Sequence, residues 1–217
     1  MYSLLKKNSA YFIPYLLFVL SGIICIMLWS KIDISLFING HHSPASDFFF
    51  SYWTNVGLGY LIIPVLIVLA FVSLRGMIMA ATAYLLAFGI NDSLKFSIGA
   101  PRPSIMFDQL HLTFYHVPGV EIMGWDSFPS GHTAISFSVF CLLALISNKK
   151  VLKFIFFMMA FLVGYSRIYL AEHFITDVIA ASAIGTACAV LTYKVMMNWK
   201  ALNKFTAIDK PLISFSK

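Results

Sequence analysis

His173 and Asp177 stand four residues apart in Ser166-Arg167-Ile168-Tyr169-Leu170-Ala171-Glu172-His173-Phe174-Ile175-Thr176-Asp177, a stretch that sets charged and titratable side chains into an otherwise apolar tail. Ionisable groups are costly at membrane depth, so where they occur they mark function. On a helix this spacing stacks both residues on one face, where the carboxylate can orient the imidazole and stabilise its cation. His173 is thus a candidate nucleophile or base. Two upstream stretches are its candidate partners: residues 95–103, K-F-S-I-G-A-P-R-P, and residues 128–133, F-P-S-G-H-T.

Lys95, Arg102 and Arg167 with two histidines describe an anion site, and so many donors suit a tetrahedral oxyanion better than a carboxylate. Phosphate is the natural candidate. Ser130 sits where a loop enters an apolar helix; its side chain can cap that helix while the free N–H groups of the first turn point at a phosphate oxygen. Gly131 lets that backbone come close. In-line phosphoryl transfer needs a nucleophile, a proton donor for the leaving oxygen and positive charge around the equatorial oxygens. His173 supported by Asp177, His132, and the three cations fill these roles in turn. No Asp/Glu/His cluster has metal-ligand spacing, so neither a metal nor another cofactor is expected. A single Lys95 or Arg167 at a helix end would more often be a snorkelling anchor than a ligand; seven such residues converging on one face is a different matter.

The elements that must position these residues are transmembrane helices. Sixty per cent of the 217 residues are hydrophobic and 11 per cent charged, far from soluble globular usage. At about 20 residues per span there is room for six spans and short connections, with no separate soluble domain. The expected spans are 10–30, 57–74, 77–95, 132–147, 151–169 and 174–195, forming one membrane-embedded domain over residues 1–217 with its chemistry between 95 and 177. Lys6 and Lys7 precede an apolar run too long for a signal-peptide core and without a clear cleavage site, so the first span is expected to stay uncleaved. Residues 31–47 read as an exposed polar connection in which His41 and His42 are solvated. Arg75 and Gly76 read as a tight connection. From Lys153 to Lys194 one helix would be on the order of 60 Å long, so the chain must turn back, near residues 169–174. The long connection 99–131 carries prolines and aromatics; it reads either as a surface lid over the site or as an ordered loop with aromatic anchors. Cys25, Cys141 and Cys188 lie in apolar segments and read as inert.

The net charge of +6 first suggests nucleic acid, but the basic residues sit at segment ends and not on one face. With six spans and both termini cytoplasmic, 11 of the 15 basic residues fall inside: Lys6, Lys7, Arg75, Lys149, Lys150, Lys153, Lys194, Lys200, Lys204, Lys210 and Lys217. Asp33, Asp47, Asp108, Glu121 and Asp126 fall outside. Lys95, Arg102, Ser130, His132, Arg167, His173 and Asp177 then gather at the outer ends of spans three to six.

Lys95-x6-Arg102-Pro103, Pro129-Ser130-Gly131-His132 and Ser166-Arg167-x5-His173-x3-Asp177, in that order, resemble the three-part signature of the type 2 phosphatidic acid phosphatase superfamily, with no departure within it. The resemblance covers residues 95–177. It implies an all-α, six-span helical bundle in the inner membrane with an extracytoplasmic site, in which His173 forms a phosphoenzyme, Asp177 supports it, His132 is the acid, and Lys95, Arg102, Ser130, Gly131 and Arg167 bind phosphate. The implied substrate is a phospholipid or isoprenoid phosphate: undecaprenyl pyrophosphate, a lipid A phosphate, phosphatidylglycerol phosphate or phosphatidic acid. A phosphotransferase using the same phosphohistidine, or a lipid-phosphate carrier, are the alternatives; carriage alone needs no nucleophile. Vanadate-dependent haloperoxidases share the signature but are soluble.

Overall fold

The computed structural model describes residues 2–199; the basic residues Lys200, Lys204, Lys210 and Lys217 lie outside that range. Helices α1 (Tyr2–Lys7), α2 (Ser9–Leu28), α3 (Lys31–Gly40) and α4 (Pro44–Trp53) are followed by two short 3₁₀ segments, Thr54–Gly57 and Gly59–Leu61. Then come α5 (Ile62–Ala70), α6 (Leu74–Ile98), α7 (Pro103–Gln109), α8 (Gly131–Ile146), α9 (Lys150–Tyr169) and α10 (Ile175–Asn198). Helices α2, α9 and α10 and the stretch opened by α6 are long and apolar enough to cross a membrane. Residues 44–57 and α5, bent by 57°, make a further crossing if taken together. Large apolar side chains such as Leu17, Leu20, Ile24 and Met27 of α2 point outward, as lipid-facing positions do.

At 16 residues α8 is the short apolar helix, about 24 Å long. It is also the most enclosed, packed against α10, α9 and α6. Between these helices the contact surface is built from small residues: Ala80, Ala83 and Ala87 of α6, Ala134 of α8, Ala160 of α9, and Ala181 and Ala189 of α10 are all 0% exposed. Lipid tails give helices no hydrophobic drive to associate, so close backbone approach and dispersion do that work. Gly185 is the extreme case, since a Cβ there would lie 2.3 Å from the Ala134 carbonyl oxygen and 2.8 Å from the Ser138 nitrogen. This seam fixes the start of α8, with His132, against the start of α10, with Asp177.

Two segments depart from the sequence reading, and the long connection takes the form of its second alternative, the ordered loop with aromatic anchors. Residues 31–47 are mostly helical: Ser30 caps α3 through the Asp33 N–H, Ser43 caps α4 through the Ser46 N–H, and Ser35, Asn39 and Asp47 are buried. Helices of ten residues are shorter than a hydropathy window and do not register in it. Arg75 and Gly76 lie inside α6; the connection falls at residues 71–73, where the Ser73 side chain accepts the Gly76 N–H. The long connection is anchored. Tyr115 exchanges two hydrogen bonds with the Asn39 side chain (2.7 and 2.8 Å), its hydroxyl donates to Asp47 (2.8 Å), and His42 stacks on its ring at 3.5 Å. Asp47 also accepts the Tyr169 hydroxyl at 2.5 Å, tying this loop to the end of α9.

Candidate active site

The last turn of α9, the turn after it and the first turn of α10 build the centre. Ala171 takes a left-handed conformation (φ 55°), and the N–H groups of Glu172 and His173 both donate to the Arg167 carbonyl, at 3.0 and 3.1 Å. The chain therefore folds back on itself here. His173 lies in this non-helical turn, not on the helix that the four-residue spacing suggests, and still faces Asp177: Nδ1 to Oδ2 is 3.5 Å, and the two residues are 1% and 3% exposed. Asp177 Oδ2 is held in place by the Ser127 hydroxyl (2.6 Å) and the Phe174 N–H (3.0 Å), and Oδ1 by the Thr176 hydroxyl (3.0 Å). With Nδ1 turned to the carboxylate, Nε2 is the free nitrogen of His173. Burial, with repulsion from Arg167 and Arg102, holds the His173 imidazole well below its ordinary range despite the pull of Asp177. It is neutral at neutral pH.

The cations arrive from other helices. Arg102, at the start of α7, donates from Nε to the Trp125 carbonyl (2.8 Å), and its N–H donates to the Gly124 carbonyl (2.9 Å). Lys95, in the last turn of α6, donates to the Asp126 carbonyl (2.6 Å). Arg167 donates from Nη1 to Thr54 (2.6 Å), while its Nε is buried without a partner. Glu172 joins the two arginines: its Oε2 accepts from Arg102 Nη1 at 2.5 Å and Arg167 Nη2 at 3.3 Å. Two carboxylates against three cations thus leave the cluster with a single excess positive charge.

Ser130 occupies the N-cap position of α8, but no side chain caps this helix. Its hydroxyl accepts from Thr133 Oγ1 (2.9 Å), and its N–H donates to the Asp177 carbonyl (3.3 Å). The expected capping bond is absent, and the Ser130 hydroxyl meets the Thr133 side chain instead. The uncapped start of the helix therefore keeps free N–H groups at the rim of a cleft of about 280 Å³, lined among others by Lys95, Gly131 and His132. Gly57 backs His132, with a virtual Cβ 2.9 Å from the His132 Cβ. Arg167, His173, Arg102 and Lys95 all act electrostatically on the His132 ring. All eight residues singled out in the sequence therefore meet.

Sequence reasoning missed three others. Glu172 stood in the opening stretch with no role assigned, Ser127 lay one residue before the second motif, and Thr54 lay just before the expected span 57–74. Of these only Glu172 carried a signal, as a carboxylate within five residues of Arg167 in an apolar tail.

A helical, multi-pass membrane protein with a buried, cation-rich histidine site at the ends of five helices defines a class of membrane enzymes that handle oxyanions. The chain belongs to the PAP2 superfamily, whose model matches residues 76–201, and is a phosphatase of that family. It is 30% identical to the lipid A 4'-phosphatase of Bacteroides thetaiotaomicron over 168 residues, 72% of this chain and 73% of that protein. It is 33% identical to lipid phosphate phosphatase 1 of Arabidopsis thaliana over 136 residues, 52% of this chain but 42% of the plant protein, so it spans less than half of that relative. The crystal structure of Aquifex aeolicus LpxE superimposes with a TM-score of 0.68 at 32% identity, covering 75% of this chain and 93% of that one. A PAP2 type phosphatidylglycerolphosphate phosphatase from Bacillus subtilis shares the fold, with a TM-score of 0.55 at 21% identity over 89% of this chain and 98% of that one.

Proposed function

We propose that this protein hydrolyses a lipid phosphate through a phosphohistidine on His173, and that among the candidate lipids a phosphorylated saccharolipid of the lipid A kind is the substrate. The observation that carries the mechanism is the buried His173–Asp177 pair ringed by Lys95, Arg102 and Arg167. The substrate reading draws on the Bacteroides relative named for lipid A. His173 Nε2 attacks phosphorus, the bond from phosphorus to the lipid oxygen breaks, and the leaving oxygen takes a proton from His132. Asp177 stabilises the imidazolium of the phosphoenzyme. Water, giving its proton to His132, then attacks phosphorus and breaks the P–N bond, releasing inorganic phosphate and restoring neutral His173. A phosphate dianion entering a cluster of net charge +1 leaves room for exactly one more proton, which favours protonated His132. Lys95, Arg167 Nε, Arg102 and the open amides at Gly131, beside Ser130, hold the equatorial oxygens, so the site is expected to run without a metal.

Phosphate release from purified lipids in detergent tests this reading. Lipid A 4'-phosphate should be hydrolysed faster than phosphatidic acid, phosphatidylglycerol phosphate or undecaprenyl pyrophosphate, activity should persist in excess EDTA, and vanadate should inhibit. A strict Mg²⁺ requirement of the enzyme itself would show the cations misassigned. The pH profile gives a further expectation: because His173 ionises below its ordinary value of 6.5, the rising limb of kcat/KM should lie below pH 6.5. A limb centred above pH 7 would contradict a buried neutral nucleophile.

The reading includes a single domain of six spans, counting the bent segment and α8, with both termini cytoplasmic and the site facing outward; the charge distribution supports it. In a background with Cys25, Cys141 and Cys188 replaced, a cysteine at position 112 should react with an impermeant reagent from outside. One at position 149 should react only after permeabilisation. Labelling of both from one side would overturn the topology.

A further inference from the structure

The cleft beside His132 changes polarity along its length. Phe88, Asn91, Asp92 and Lys95, on one face of α6, line it opposite Gly131 and His132. At its Lys95 end stand donors. One turn back, Asn91 is 5% exposed with an Oδ1 that finds no hydrogen-bond partner, and its Nδ2 lies 3.6 Å from where a Cβ on Gly131 would be. Asp92, exposed, adds a carboxylate. A buried acceptor left unpaired is costly, and a ligand donor can return that cost. Among the described residues of the site, Arg167 Nε is the other buried group without a partner, a donor that suits a phosphate oxygen. A phosphate dianion has no proton for Asn91 and is repelled by Asp92, so these acceptors must serve another part of the substrate.

In-line displacement puts nucleophile and leaving oxygen on opposite sides of phosphorus. His173 is buried and does not line the cleft, whereas His132 does, so the departing lipid head is assigned to the cleft. We propose that Asn91, assisted by Asp92, selects phosphate esters whose leaving group carries hydroxyl or N–H donors next to the phosphate, as a sugar head group does and a diacylglycerol or polyprenyl chain does not. This rests on the phosphatase mechanism above and names what reads its substrate.

The test compares two synthetic lipids in detergent: a glucosamine-based lipid 4-phosphate with free hydroxyls flanking the phosphate, and its deoxy analogue lacking them. The wild-type enzyme should prefer the hydroxylated lipid by at least about tenfold in kcat/KM, a preference expressed mainly in KM because these donors are remote from the breaking bond. In Asn91→Leu the ratio should fall to within about twofold of unity, the cost of an unmade hydrogen bond being lost from the comparison. Asn91→Ser, which keeps a small acceptor, should retain an intermediate ratio. A wild-type ratio near one overturns the inference whether or not the variants fold, and so does a ratio that Asn91→Leu leaves unchanged. The substrate reading fails separately, if the enzyme hydrolyses phosphatidic acid well and neither sugar phosphate.

Discussion

His173→Ala is expected to abolish the acid-labile phosphoenzyme trapped by rapid quench, and turnover with it, because no other side chain at the site carries a free nucleophilic nitrogen on the far side of the phosphate from His132. Asp177→Asn should slow phosphoenzyme formation by about a thousandfold or more while lipid binding persists, by analogy with removal of the carboxylate from a catalytic triad. The three bonds that hold Asp177 locate the effect in charge: an asparagine can keep its oxygen at the Oδ2 position and turn its amide to the Thr176 hydroxyl, so what is lost is the negative charge that stabilises the imidazolium. His132→Ala should still phosphorylate slowly from a pyrophosphate, whose leaving group needs less protonation. Turnover by His173→Ala, together with loss of all phosphoenzyme in His132→Ala, would reverse the roles.

Glu172→Ala is expected to cost about 3–5 kcal/mol of stability, the range for breaking a buried ion pair, because Arg102 and Arg167 would then face each other without a counter-charge. Thermal unfolding in detergent reads it. Vanadate should raise the midpoint of Glu172→Ala more than that of wild type, since an oxyanion between the guanidiniums replaces the missing carboxylate. Equal shifts would show that Glu172 neutralises neither arginine. Activity should fall by at least a hundredfold, as both arginines lose the position that aims them at the equatorial oxygens.

The parts of this site legible in the sequence are those whose chemistry is unusual for their surroundings. Lys95, Arg102, His132, Arg167, His173 and Asp177 are ionisable groups at the edges of apolar runs, and their cost makes them conspicuous. Ser127, Thr54 and Asn91 are small polar residues of kinds found in any loop or helix end, and only their burial and partners mark them. The turn at 169–174 was legible from length alone, because an unbroken helix would overshoot the membrane. The path of residues 31–61 was not. There, Asn39 and Asp47 are buried through hydrogen bonds to distant residues, and a local average of hydropathy carries no information about such partners. The spacing of His173 and Asp177 gave the right pair for an incomplete reason, since the turn before α10 and not a continuous helix brings them together.

The enclosure of α8 bears on how the enzyme meets bilayers of different thickness. A lipid-facing helix that mismatches the hydrocarbon layer must tilt, or thin the lipid around it, at a modest cost per ångström. Every residue of α8 is at least partly shielded by neighbouring helices, so a 16-residue segment shorter than the layer has little contact with the lipid that would impose such a tilt. Thickness strain falls on the outer helices, α2 above all, whose apolar side chains point into the surroundings. The helix that carries His132 is held instead by the alanine and glycine seam, and the distance from that histidine to the His173 turn is set by protein packing, independent of the membrane in which the protein sits.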